Sequence, residues 1–104
     1  MVHSRNKGKR GELELAAFLR SRGFEASRGQ QFKGSADSPD VVCPDLAGFH
    51  IECKRVEAGN IYVWLAQAKR DAGTKTPVVM HKKNGKEWVA VLTLDDLLKL
   101  LGGW

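Results

Sequence analysis

Apolar residues first recur at helical spacing near the N-terminus. Leu15, Ala16, Phe18 and Leu19 form one stripe and Gly23 supplies a stop, so residues 9–22 are predicted as a helix. Residues 24–28 read as a short strand, and 30–38 as a polar loop containing glycine and serine. Two further strands, 40–43 and 49–55, are joined by a turn through Pro44, Asp45 and Gly48. Residues 60–72 form a second helix, with Ile61, Trp64, Leu65, Ala68 and Ala72 on one side. Strands 77–81 and 87–92 follow, and Asn84-Gly85 between them is a hairpin signal. Thr93 with Asp96 marks the start of a last helix, which packs Leu94, Leu97, Leu98 and Leu101 before Gly102 ends it. The order α-β-β-β-α-β-β-α implies an α/β fold with a mixed central sheet flanked by helices.

The chain of 104 residues is read as a single domain, with the fold itself over 8–101 and residues 1–8 as a basic, flexible arm. No apolar run reaches the ~18–20 residues of a membrane span, and the basic start lacks a signal-type apolar stretch. Cys43 and Cys53 are too few for a disulfide scaffold and lack zinc-type spacing. They read as reduced strand residues, and the expected compartment is cytoplasmic. Charge narrows the class further. Seventeen Lys+Arg against twelve Asp+Glu give a net +5, with clusters at Arg5, Lys7, Lys9 and Arg10 and again at Arg28 and Lys33. A polyanion is the natural partner for such a surface, although solubility alone would also account for it.

The candidate chemistry lies in His50-Ile51-Glu52-Cys53-Lys54. On a strand, residues two apart share a face, so Glu52 and Lys54 project together while Ile51 and Cys53 point into an apolar layer. A cross-strand salt bridge is the plain explanation of a lone Glu-x-Lys. The preceding strand argues for more. A hairpin closing symmetrically about the turn pairs Val42 with His50 and Val41 with Ile51, and sets Asp40 opposite Glu52, side chains ~5 Å apart. Facing carboxylates destabilise a sheet unless a cation lies between them, and such a pair suits Mg²⁺. Asp45 falls in the turn, ~20 Å of extended chain from Glu52, and is rejected. Glu12 lies one helical turn before Leu15 and Ala16, on the buried stripe, where it either joins the site or serves the helix dipole. Glu14 faces elsewhere. His50 shares the face of Glu52 and Lys54 but reads as a strand-end polar residue. Tyr62, Trp64, Trp88 and Trp104 are spaced as core or interface residues.

Together these residues resemble the PD-(D/E)xK nuclease superfamily. Pro39-Asp40 spells the first half of its motif, and Glu52-Cys53-Lys54 the second. The order of elements is similar to the superfamily's restriction-endonuclease-like αβββαβ core. The closer likeness is to archaeal-type and phage Holliday junction resolvases, through the basic Asn6 to Glu12 segment that opens the first helix. The resemblance implies that Asp40 and Glu52 bind Mg²⁺, with Mn²⁺ able to substitute, that Glu12 helps position metal or water, and that Lys54 acts on the nucleophile or the phosphate. It also implies a catalytic loop serine, Ser35 in preference to Ser38. A glutamine on the second helix, Gln67, is placed near the site by the same resemblance, though a plain helix-edge glutamine fits as well. Phosphate contacts fall to Arg5, Lys7, Lys9, Arg10, Arg28 and Lys33. The function implied is metal-dependent resolution of four-way DNA junctions. Alternatives are another nicking or repair nuclease of the superfamily, or an inactive basic DNA-binding domain. Because a junction has two-fold symmetry, a homodimer acting on branched double-stranded DNA is expected, with Trp88 and the leucines of residues 94–104 as its interface.

Overall fold

The computed structural model describes residues 4–29 and 39–102, with side chains from residue 8 onward. Helix α1 (Ser4–Ser21) is followed by short strands β1 (Ser27–Arg28) and β2 (Val41–Val42) and a 3₁₀ turn (Pro44–Leu46). Strand β3 (Phe49–Arg55), helix α2 (Ile61–Ala72), strands β4 (Thr76–Lys82) and β5 (Val89–Val91) and helix α3 (Leu94–Leu100) complete the chain. The order matches the expected one. Helix α1 starts at Ser4, so most of the segment read as an arm lies within it.

The main sheet has the order β3-β4-β5. Strands β3 and β4 run parallel, Glu52 beside Val79 and Lys54 beside His81, with α2 as the crossover. Strand β5 returns antiparallel to β4. Alternation along β3 sorts the chain into two layers. Ile51 joins Leu15, Ala16 and Leu19 of α1 together with Val41, Cys43 and Val78, while Phe49 and Cys53 pack against that cluster. On the other face, Trp64, Leu65 and Ala68 of α2 cover Val79. Helix α2 begins cleanly because the Asn60 side chain accepts from the N–H groups of Tyr62 and Val63. Among the described residues, no helix is long and apolar enough to cross a membrane.

Three details depart from expectation. The β4–β5 connection is longer than a two-residue hairpin: the Lys86 N–H bonds the Lys83 carbonyl, and Gly85 alone takes a positive φ of 75°. That is a turn with one left-handed residue, not the two that a tight primed turn demands. Trp88 is half-buried against the α1 layer, its ring 6.4 Å from that of Phe18, so it closes the core. The leucines of α3 do the opposite. Leu94 is 66% exposed and Leu101 73%, and α3 has no buried residue. Trp104 lies outside the described residues.

One glycine fixes how closely α1 approaches β3. A Cβ on Gly11 would stand 2.6 Å from Cβ of Arg55 and 3.8 Å from Sγ of Cys53. Alanine gains about 1 kcal/mol of helix propensity over glycine, but overpacking costs about 1–3 kcal/mol. Gly11→Ala is therefore expected to lower the melting temperature by several degrees in a circular-dichroism melt, the clash outweighing the propensity gain.

Candidate active site

The site is built where the chain changes partners at Asp40. Strands β1 and β2 pair antiparallel, Arg28 beside Val41. One step further on, the Gly29 N–H donates to the Asp40 carbonyl at 2.8 Å, while the Asp40 N–H donates to the Ile51 carbonyl at 3.0 Å. Asp40 thus bonds β1 through its carbonyl and β3 through its N–H. A regular strand residue would point both groups to the same side, so the backbone bends here. Gly29 permits this close passage, since a Cβ on it would collide with the Pro39 carbonyl. The expected symmetrical ladder, Val42 beside His50, is replaced by this single backbone link: β2 pairs with β1 and not with β3.

The side chain of Asp40 completes what the ladder leaves open. Its carboxylate accepts the Cys53 N–H at 2.8 Å, as a strand carbonyl would have done. This ties the aspartate to the backbone between the two residues of the Glu52…Lys54 pair. From there it acts on both other carboxylates of the candidate set.

Glu52 is only 5% exposed, and its carboxyl is pushed up to about 8. Burial is the largest cause; the charge of Asp40 and a hydrogen bond with it come next, then the charge of Asp71, with Lys54 opposing. Glu12 is also raised, by burial first and in part by Asp40, against the pull of Arg28. Burial likewise lifts the Cys53 thiol to about 12, so it stays protonated at neutral pH and offers no thiolate.

Two neighbours of Glu52 fall outside the expected set. His50, 2% exposed, sets Nε2 3.0 Å from Oε1 of Glu52. Asp71, on the last turn of α2, brings a carboxylate to the same spot. Ligand-type atoms of His50, Glu52 and Asp71 all lie within 4.8 Å of one another. The signal for His50 is strand alternation, which puts it two residues before Glu52. The signal for Asp71 is its place beside Ala68 and Ala72 on the buried side of α2.

The remaining candidates are dispersed. Arg28, expected to contact phosphate, instead donates from Nε to Oε1 of Glu12 at 2.6 Å. Lys9 and Arg10 are exposed on α1. Gln67 lies one helical turn before Asp71 on α2, and Asp71 is the α2 residue whose charge acts on Glu52. Glu14 is paired with Arg55 at 2.9 Å. Ser35, Ser38 and Lys33 lie outside the described residues, as do the side chains of Arg5 and Lys7.

An α-helix laid on a mixed sheet, with Pro39-Asp40 bent against Glu52-Cys53-Lys54, is the architecture of the PD-(D/E)xK nucleases. The family model described as "Phage putative PDDEXK endonuclease" matches residues 3–102, and the chain belongs to that family. No curated protein and no solved structure matches the chain. Nucleases of this type usually use divalent metals, and the donor set here fits one. Asp40 and Glu52 are both oxygen donors, the charge of Asp40 disfavours ionisation of Glu52, and a cation relieves that cost.

Proposed function

We propose that the chain is a divalent-metal-dependent endonuclease that resolves four-way DNA junctions by paired incision, acting as a homodimer. The observation that carries this reading is the convergence of carboxylates on Asp40, whose charge disfavours ionisation of both Glu52 and Glu12. A cluster of this kind is poised for a cation, and phosphodiester hydrolysis is the chemistry that the family brings to it.

In this reading Asp40 and Glu52 hold Mg²⁺, or Mn²⁺ in its place, and Glu12 positions the ion or a water. Such an ion, when bound, lowers the pKa of water and offsets charge developing on the phosphate. Lys54 stands next to Glu52 in charge interaction and supplies a cation toward the phosphate being cut. Arg28 holds Glu12 in place through their 2.6 Å contact. The protonated Cys53 thiol makes a covalent cysteine route unsuitable. Lys9 and Arg10, on the first half of the same helix as Glu12, would neutralise neighbouring phosphates, with Arg5, Lys7 and Lys33 extending the contact along the backbone.

Junction preference is supported by the likeness of the Asn6 to Glu12 segment to that of junction resolvases and by the net charge of +5. The dimer is supported by α3 and its C-cap, whose five leucines from Leu94 to Leu101 are all at least 39% exposed. A two-fold pairing of this face would cover them and set two centres against two opposed strands.

The test is an end-labelled immobile junction incubated with Mg²⁺ and mapped at nucleotide resolution, beside light scattering of the protein alone. The expected result is two symmetric cuts on opposed strands, about tenfold or more slower cleavage of linear duplex, and the mass of a dimer. Leu98→Lys should yield monomers that leave single nicks. Unpaired nicks from the wild-type chain, or a monomer both free and on the junction, would replace the resolvase reading with that of a nicking nuclease.

A further inference from the structure

We propose that His50, Glu52 and Asp71 form a cation site of mixed nitrogen and oxygen donors, which makes the protein select Mn²⁺ over Mg²⁺. The inference rests on the reading of Glu52 as a metal ligand and adds two residues that the PD-(D/E)xK motif does not contain.

Geometry is the first support. Ligand atoms at about 2.1 Å from a six-coordinate ion stand about 3.0 Å apart when adjacent and about 4.2 Å apart when opposite. His50 Nε2 and Glu52 Oε1 are 3.0 Å apart, and all three groups fall within 4.8 Å. The donors come from two elements that the fold locks together, since α2 packs on the face of the sheet that carries even-numbered residues of β3. Burial of His50 and Glu52 keeps both side chains from reorienting toward water.

The second support is the cost of Asp71 where it stands. It lies in the last turn of α2, where the aligned peptide dipoles disfavour a negative group and where the chain otherwise places Lys69 and Arg70. It also adds a second negative charge beside Glu52, already faced by Asp40. A hydrogen bond from His50 to Glu52 would need no carboxylate from α2. A cation bound between them would offset the charges of Glu52 and Asp71 together, and local rules of this kind are broken mainly at functional sites.

The choice of ion follows from the imidazole. Mg²⁺ takes oxygen ligands and gives up water reluctantly, whereas Mn²⁺ accepts imidazole nitrogen alongside carboxylates. Glu52 lies within ligand distance of His50 and Asp71 and also interacts with Asp40, so one carboxylate serves both the motif and the added donors.

Pulsed electron paramagnetic resonance of the full chain loaded with one equivalent of Mn²⁺ tests this without any cleavage assay. The expected spectrum shows ¹⁴N modulation from an imidazole, converted to ¹⁵N coupling when histidine is isotopically labelled. His81→Gln should keep the modulation and His50→Gln should lose it. Asp71→Asn, at a partly exposed position, should weaken Mn²⁺ binding about tenfold by calorimetry, and His50→Gln should reduce the preference for Mn²⁺ over Mg²⁺. Bound Mn²⁺ without nitrogen coupling, together with an Asp71→Asn chain that binds it normally, would overturn the inference and leave the Asp40 and Glu52 reading standing. A wild-type chain that binds neither Mn²⁺ nor Mg²⁺ would overturn both.

Discussion

Above pH 8 in the presence of chelator, a Glu52→Gln chain is expected to melt at a higher temperature than wild type while having lost its ability to cut DNA. The Glu52 carboxyl is pushed up from 4.5 to about 8, by burial first and then by Asp40 and Asp71. A folded pKa above the unfolded one means the folded chain keeps a proton that the unfolded chain releases. The associated stabilisation is complete below about pH 4.5 and is lost as pH rises through about 8. Glutamine preserves the shape and an acceptor oxygen for His50, yet cannot ionise among Asp40, Asp71 and the partly compensating Lys54. Each pKa unit corresponds to about 1.4 kcal/mol, so the gap between the two melting curves should open between those limits and reach several degrees. Paired melts across that range check it. Superimposable curves at pH 9 would mean that the three carboxylates are not crowded as described.

Asp40→Asn should separate cutting from binding. Asparagine can still accept the Cys53 N–H, so the bend at residue 40 keeps its anchor and only the charge is removed. Single-turnover cleavage in Mg²⁺ is expected to fall by about 10³-fold or more. Junction affinity, measured by fluorescence anisotropy in Ca²⁺, should stay within about twofold, because lysine and arginine contacts to phosphate supply it. Affinity lost in parallel with cleavage would mean that Asp40 organises a structural ion network.

How much of this could be read from the residues depends on which interactions decided each element. Strand β3 has the limits 49–55 read from the sequence, because its apolar and polar positions alternate against two different layers. Helix α2 likewise has the expected end at Ala72 and a side-chain cap at Asn60. The proximity of Asp40 to Glu52 was also legible, although the reason was different. It arises from an N–H and a carboxylate of Asp40 reaching β3 at Ile51 and Cys53, not from a symmetrical hairpin. Periodicity cannot reveal that the chain would bend between β1 and β3, since this is set by Gly29 and the Pro39 carbonyl passing in close contact. The sequence places Asp71 on the buried side of α2 but not beside His50, for a related reason. Its meeting with His50 depends on where a crossover helix lies over a parallel pair, which local pattern does not encode. The α3 leucines show the opposite failure. Their spacing is that of a packed helix, yet the described residues supply no surface that buries them.

The central claim, that this carboxylate cluster cuts phosphodiester bonds with a bound divalent ion, is tested most directly by one measurement on the wild-type chain. An end-labelled junction is incubated with the protein in Mg²⁺, in Mn²⁺ and in excess chelator, and the products are resolved on a denaturing gel. The account predicts discrete cuts in either metal, none in chelator, and their return when Mg²⁺ is added back. Undiminished cutting in chelator would contradict it.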